Sequence, residues 1–240
     1  PYYECLRNSG KRKLPILCLW RCDVNLVKHM PRYAIIVAAG TGSRMKSGLP
    51  KQFLLLAGKP VLYYSLKAFF ENDPSTKQIV VLAKKEIPFW KEMCQKHEIL
   101  IPHQIVIGGN TRTESVRNGL NVIDDEGIVA IHDGARPLVS NEIIENCFIS
   151  AEKNGSGVAC VKAKDSVRLV NENGNTALER DSLRLMQTPQ TFPTYLIKKA
   201  FDSMGNSVST DDATVAEKAG FAIHLVEGSY QNLKITTPED

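Results

Sequence analysis

Between Ile35 and Phe53 the sequence reads IIVAAGTGSRMKSGLPKQF, an apolar run that passes into a glycine-bearing loop carrying Arg44, Lys46 and Lys51. Backbone N–H groups exposed where a strand ends, joined by long cationic side chains, form a cradle for phosphates. A loop leaving a buried strand has no structural need for three cations so close together. Pro50 stiffens the chain just before Lys51. Two common phosphate loops do not fit. The dinucleotide fingerprint needs Gly40, Gly42 and a third glycine where Met45 stands, and a ribose-binding acid about 20 residues on is missing. The P-loop fails because Gly42 and Gly48 are one residue too far apart and Leu49 replaces the lysine. A plain structural turn uses glycine in the same way, so the cations carry the functional reading.

Further candidates fall at segment ends that a doubly wound sheet brings to one edge. In GIVAIHDGARP, Asp133 follows an apolar strand and precedes Arg136. An acid there can hold Mg²⁺ and face a phosphate; it can also serve as a turn or capping residue. His132 reads as a side chain pointing into the sheet and is assigned no chemistry. Gly108, Gly109 and Asn110 end another strand, where missing side chains let a flat base approach the backbone. Lys234, in NLKITTPED, and Arg180 read by themselves as surface charges.

The elements that must position these residues follow from hydrophobic periodicity. Strands are expected at 34–39, 78–83, 104–107, 128–132 and 157–163. Pro60 opens a helix over 61–70. Thr111 and Glu114 form a capping box ahead of a helix over 116–123. Ser140 caps a helix over 141–153 that Gly155 stops. Helices over 194–204 and from a Thr210 cap through Ala219 follow, then a strand at 222–226. This alternation predicts an α/β fold with a doubly wound, mostly parallel sheet. Residues 165–185 interrupt it with two short alternating stretches around Asn173-Gly174, a hairpin signal. They read as a projecting β-arm, too small to be stable alone. A second subunit is the expected support. Pro238 followed by acids reads as the opening of another helix.

The chain has 240 residues and is 43% hydrophobic, enough for one large domain over 30–240. Its net charge of +4 comes from the first 30 residues, since the rest holds equal numbers of each sign. With a neutral body, the overall basic charge is no argument for nucleic acid. Residues 1–29 read as an extension outside the fold. Their apolar run is too short to span a membrane and lacks a signal-peptide cleavage site. The six cysteines form no Cys-x-x-Cys pair, which suits a reducing, cytoplasmic compartment.

AAGTGSRM, PKQF, GG-x-TR-x-x-SV-x-NGL, HDGARP, TPQTF, TDDA, LVEG and NLKITTPED occur in that order between Tyr33 and Asp240. In this order they resemble the 2-C-methyl-D-erythritol 4-phosphate cytidylyltransferases, members of the Rossmann-like nucleotidyltransferase group. The resemblance implies cytidylyl transfer from CTP to methylerythritol phosphate, with Mg²⁺, in a homodimer joined through the arm. It implies that Arg44 and Lys51 bind the triphosphate, and that Ala38, Ala39, Gly40 and Gly42 lie at the nucleotide. Gly109, Asn110 and Ser115 would recognise cytosine and ribose, and Asp133 would ligate Mg²⁺. Arg136, Thr188 and Lys234 would surround the sugar phosphate and the reacting phosphate, while Ser166 and Arg180 would reach a neighbouring subunit's substrate. Asn110, Gly134 and Ser166 depart from the residues common there (an acid, alanine and threonine). Transfer to another sugar phosphate, such as ribitol 5-phosphate, stays open. So do a nicotinamide-dependent oxidoreductase, disfavoured by the missing glycine and acid, and a non-catalytic nucleotide-binding module, disfavoured by the joint retention of Arg44, Lys51, Asp133 and Lys234. Neither nucleic acid nor a membrane is expected as a partner.

Overall fold

The computed structural model describes residues 30–40, 49–205 and 207–240. The extension expected over 1–29 and the loop residues Gly42, Arg44 and Lys46 lie outside the described residues.

Strand β1 (Arg32–Val37) is followed by a small hairpin, β2 (Leu55–Leu56) and β3 (Lys59–Pro60). Then come α1 (Val61–Asn72), β4 (Lys77–Leu82), α2 (Ile87–Lys96), β5 (Gln104–Ile107), α3 (Arg112–Asn121), β6 (Ile128–Asp133), α4 (Asn141–Asn154) and β7 (Gly157–Lys162). The chain goes on through β8 (Arg168–Asn171), β9 (Gly174–Ala177), β10 (Arg184–Pro193), α5 (Thr194–Ser203), α6 (Asp212–Lys218) and β11 (Leu225–Glu227). Seven strands form the main sheet in the order β11-β7-β10-β6-β1-β4-β5. Only β10 runs against the others, pairing antiparallel with both β6 and β7.

Alternation along the buried strands divides the core into two layers. Ala34, Ile36, Val80, Leu82 and Ala130 face α1, α2 and α4 through Leu62, Phe69, Trp90 and Phe148. Ile35, Ile79, Val81, Val129 and Ile131 face α3, α5 and α6 through Leu120, Ile197, Phe201 and Ala216. The sheet is therefore doubly wound and mostly parallel, as the periodicity predicts.

Several local readings need correction. The α3 helix begins at the capping box itself: Thr111 Oγ1 accepts from Glu114 N, and Glu114 Oε2 accepts from the Asn110 amide. The α6 cap is Asp211, not Thr210, because the Asp211 carboxylate accepts from Thr214 N. Helix α2 has no counterpart in the sequence analysis, although Trp90 and Met93 bury its inner face. Strand β10 was also unread. Its polar residues and Pro189 mask the pattern, and its register against β7 breaks between Met186 and Gln190. The strand near 222–226 is shorter and later than the periodicity suggests. The arm forms as β8 and β9, exposed along both strands. Its turn is centred on Glu172 and Asn173, and Gly174, at φ +127°, opens the returning strand.

Candidate active site

The carboxyl ends of parallel strands all open on one edge, and ligands of such sheets sit there. A cavity of about 410 Å³ lies at this edge. Ala38, Ala39 and Gly40 enter it from the end of β1 and Lys51 from the following loop; Gly109, Asn110 and Ser115 enter around the start of α3. Asp133 reaches it from β6 and Lys234 from the C-terminal stretch. Nine of the expected site residues thus meet on one surface, although up to 196 positions separate them in sequence.

Each wall has a local cause. Gln52, buried beside Lys51, donates to the carbonyls of Ala38 (2.8 Å) and Gly40 (3.1 Å), tying the loop after β1 to the start of the next segment. Lys51 Nζ donates to Ile235 O at 2.6 Å, drawing the loop to the C-terminal stretch. The two glycines after β5 answer to packing. A Cβ on Gly108 would stand 2.5 Å from Ala39 Cβ, and one on Gly109 would stand 2.3 Å from Glu114 Cβ. Ser115 Oγ is occupied by the turn it closes, donating to Thr111 O and accepting from Gly109 N.

Electrostatically the site centres on Asp133. Lys234 Nζ lies 2.8 Å from its Oδ2, Arg136 Nε 3.5 Å from the same oxygen, and Arg112 Nε 3.5 Å from Oδ1. Burial would raise the pKa of this carboxyl, but Arg112, Lys234 and Arg136 outweigh it and hold the group well below the usual carboxylate range. Arg112 is the main residue that the sequence analysis missed. Its guanidinium forms a two-pronged pair with Asp212, at 2.9 and 2.6 Å, while its Nε faces Asp133. Burial opposes its charge, yet Asp212 and Asp133 push its pKa up. No spacing rule links positions 112 and 212. The sole signal was that both lie in quoted motifs, GG-x-TR and TDDA.

Arg136 and Thr188 sit behind the cavity. Arg136 is 8% exposed and donates from Nη1 to Asn232 O at 2.6 Å. Thr188 Oγ1 accepts from the Asp133 amide at 3.0 Å. Ser166 and Arg180, on the arm, are exposed and do not line the cavity; Arg180 Nη1 donates to Lys164 O.

Three cations, Lys51, Arg112 and Lys234, therefore line the described cavity against one carboxylate, Asp133. Such a wall suits a polyanion. Among the described residues no cluster of three His, Cys, Asp or Glu could hold a metal by itself. Mg²⁺ commonly takes one or two carboxylates and completes its shell with substrate phosphates and water, so a single ionised carboxylate, Asp133, on the cavity wall has the donor chemistry for that ion. No helix among the described residues is long and apolar enough to cross a membrane.

The profile of the family described as IspD, 2-C-methyl-D-erythritol 4-phosphate cytidylyltransferase, matches residues 33–240. A protein of that name from Bacteroides fragilis is 44% identical over 211 residues, covering 88% of this chain and 96% of its own. One from Clostridium novyi is 44% identical, covering 86% of this chain and 92% of its own. Among solved structures, a 4-diphosphocytidyl-2C-methyl-D-erythritol synthase from Anaerococcus prevotii superposes with a TM-score of 0.76 at 29% identity, over 88% of this chain and 92% of its own.

The Arg112–Asp212 pair yields a stability prediction. Asp212→Ala leaves a largely buried guanidinium beside a cavity with excess positive charge. The expected loss is about 3 kcal/mol, the low end for breaking a buried pair, because 22% of the Arg112 side chain still meets solvent. Urea midpoints at unchanged slope measure it. A loss below about 1 kcal/mol would mean the pair contributes no more than a surface one.

Proposed function

The chain belongs to the 2-C-methyl-D-erythritol 4-phosphate cytidylyltransferase family, and we propose that the cavity at the carboxyl edge of its sheet is where the transfer takes place. The reaction joins CTP and 2-C-methyl-D-erythritol 4-phosphate, giving 4-diphosphocytidyl-2-C-methyl-D-erythritol and pyrophosphate in isoprenoid biosynthesis. One observation carries the assignment of the site. Lys51, Arg112, Asp133 and Lys234, from four separate segments, converge on one cavity.

The nucleophile is a phosphate monoester whose second pKa is about 6, so it is mostly dianionic at neutral pH and needs no general base. The obstacle is electrostatic. A dianion must approach the α-phosphate of a triphosphate in line, and charge then builds on the departing pyrophosphate. Lys51 and Lys234 are placed to offset that charge, and Arg44, outside the described residues, is expected to join them from the glycine loop. Asp133 is the residue that would hold Mg²⁺, which when bound neutralises phosphate charge. Ala38, Ala39, Gly40, Gly109, Asn110 and Ser115 are assigned to the nucleoside end. Arg136 and Thr188, one layer back, support the Asp133 turn. A cytoplasmic location goes with the use of free CTP.

The arm is read as a dimer element. Leu169, Val170, Leu178 and Leu185 are 37–75% exposed along it, apolar surface that a second copy would cover. Ser166 and Arg180 then serve the partner's sugar phosphate rather than their own chain's.

Pyrophosphate release from CTP, measured with methylerythritol phosphate and ribitol 5-phosphate side by side, tests the substrate. Turnover is expected with the first alone, and excess chelator is expected to abolish it. Preference for ribitol 5-phosphate would replace the acceptor, and full activity in chelator would remove the metal from the reading. For Lys51→Ala, kcat is expected to fall about 10²–10³-fold, the range for losing one preorganised donor. An unchanged kcat with only a raised KM for CTP would reduce Lys51 to a binding role.

The arm makes a separate prediction. Lys51→Ala and Arg180→Ala homodimers should each be nearly inactive. If Arg180 acts across the interface, a mixed dimer holds one site with both defects and one with neither. Co-refolding equal amounts should then leave about a quarter of all sites intact and restore clear activity. Activity that stays at the mutant level would place both residues in the same chain's site.

A further inference from the structure

Beneath the Asp133 turn lies a buried polar ring that neither binding nor transfer has yet used. His132 is fully buried, and its imidazole meets the Phe69 ring edge-on, with centroids 5.4 Å apart. Its Nε2 is 3.2 Å from Arg136 O. A carbonyl can only accept, so Nε2 carries the proton. Nδ1 is then a bare acceptor, and Thr188 Oγ1 lies 3.1 Å from it. The same hydroxyl oxygen accepts from Asp133 N at 3.0 Å. Every donor and acceptor in this set has one consistent direction: Asp133 N–H to Thr188, Thr188 O–H to His132 Nδ1, His132 Nε2–H to Arg136 C=O. The turn closes on itself through Arg136 N donating to Asp133 O.

We propose that His132, held in its Nε2–H tautomer, is a positioning residue that with Thr188 ties both ends of the 133–136 turn to one imidazole and so sets the direction of the Asp133 carboxylate. The proposal rests on the reading of Asp133 as the carboxylate facing the nucleotide phosphates. A histidine that merely fills the core would need its nitrogens satisfied, but not by the two ends of the turn that carries the site's one acid. Phe69 contributes to the same end, since its edge contact limits rotation of the ring. The expected consequence is specific. Loss of the ring leaves CTP affinity nearly intact, because the cradle residues come from other segments. It slows the chemical step, because a carboxylate displaced by about 1 Å is poorly placed for the reacting phosphate.

Two measurements test this. Long-range ¹H–¹⁵N NMR of histidine-labelled protein at neutral pH reads the tautomer directly, and the signal is assigned by its absence in His132→Asn, or by its displacement in Thr188→Val if that variant does not fold. The expected spectrum has Nε2 protonated and Nδ1 bare; a proton on Nδ1 overturns the proposal. Kinetically, His132→Leu is expected to lower kcat about 10–100-fold with KM for CTP within about twofold. Thr188→Val removes one link of the same ring and is expected to act similarly, and the double variant should be no slower than the slower single. Wild-type kcat in a folded variant, or losses that multiply in the double, would refute positioning. If His132→Leu does not fold, Thr188→Val and the wild-type spectrum still decide. A wild-type protein inactive with CTP and methylerythritol phosphate would instead overturn the substrate reading, which the tautomer measurement does not touch.

Discussion

A single carboxylate kept ionised in a buried place is the constraint around which the rest of this site is arranged. Asp133 is 7% exposed, and an isolated carboxylate in such a place would take up a proton. Arg112, Arg136 and Lys234 prevent that, but each of them needs placing in turn. Arg112 is held by Asp212 at the start of α6, where the Asp212 and Ala213 amides donate to Gln190 Oε1. Arg136 is held by Asn232 O. Lys234 is held because Ile235 N donates to Ala135 O, stitching the C-terminal stretch to the same turn. The carboxylate thus couples segments from β6 to the C-terminal stretch. The charge left over on the cavity wall is positive, which is what a triphosphate and a second phosphate require.

The one reversed strand explains how the arm comes to stand beside the site. β7 runs toward the edge where the cavity opens, and β10 starts from that edge, with Arg184 opposite Lys162. Whatever joins them leaves the sheet at the edge where the cavity opens. β10 then carries Gln187 against Ser229 and Asn232, Thr188 against the Asp133 turn and Gln190 against the start of α6, so one strand links the arm, the acid and the Arg112 clamp. The side chains of Gln187, Thr188 and Gln190 are buried with such partners, which offsets the cost of burying them.

The sequence by itself determined the layered architecture and most of the site. Apolar runs bounded by Gly, Pro and capping residues place β1, β4, β6 and β7 to within a few residues, because burial on both faces demands continuous β-branched and apolar side chains, and a shorter apolar run places the more exposed edge strand β5. The ordered motifs identified the family, and with it Lys51, Asp133, Gly109 and Lys234 as neighbours. Tertiary structure alone decided the contacts between segments with no shared periodicity. Arg112 meets Asp212 across 100 positions, and Gln52 reaches back to the carbonyls after β1. Strand β10 is held by partners rather than by its own pattern. His132 was legible as a buried residue, but its role depends on which oxygens face its two nitrogens. A side chain's type limits what it can do, and only the folded chain decides what stands within hydrogen-bond reach of it.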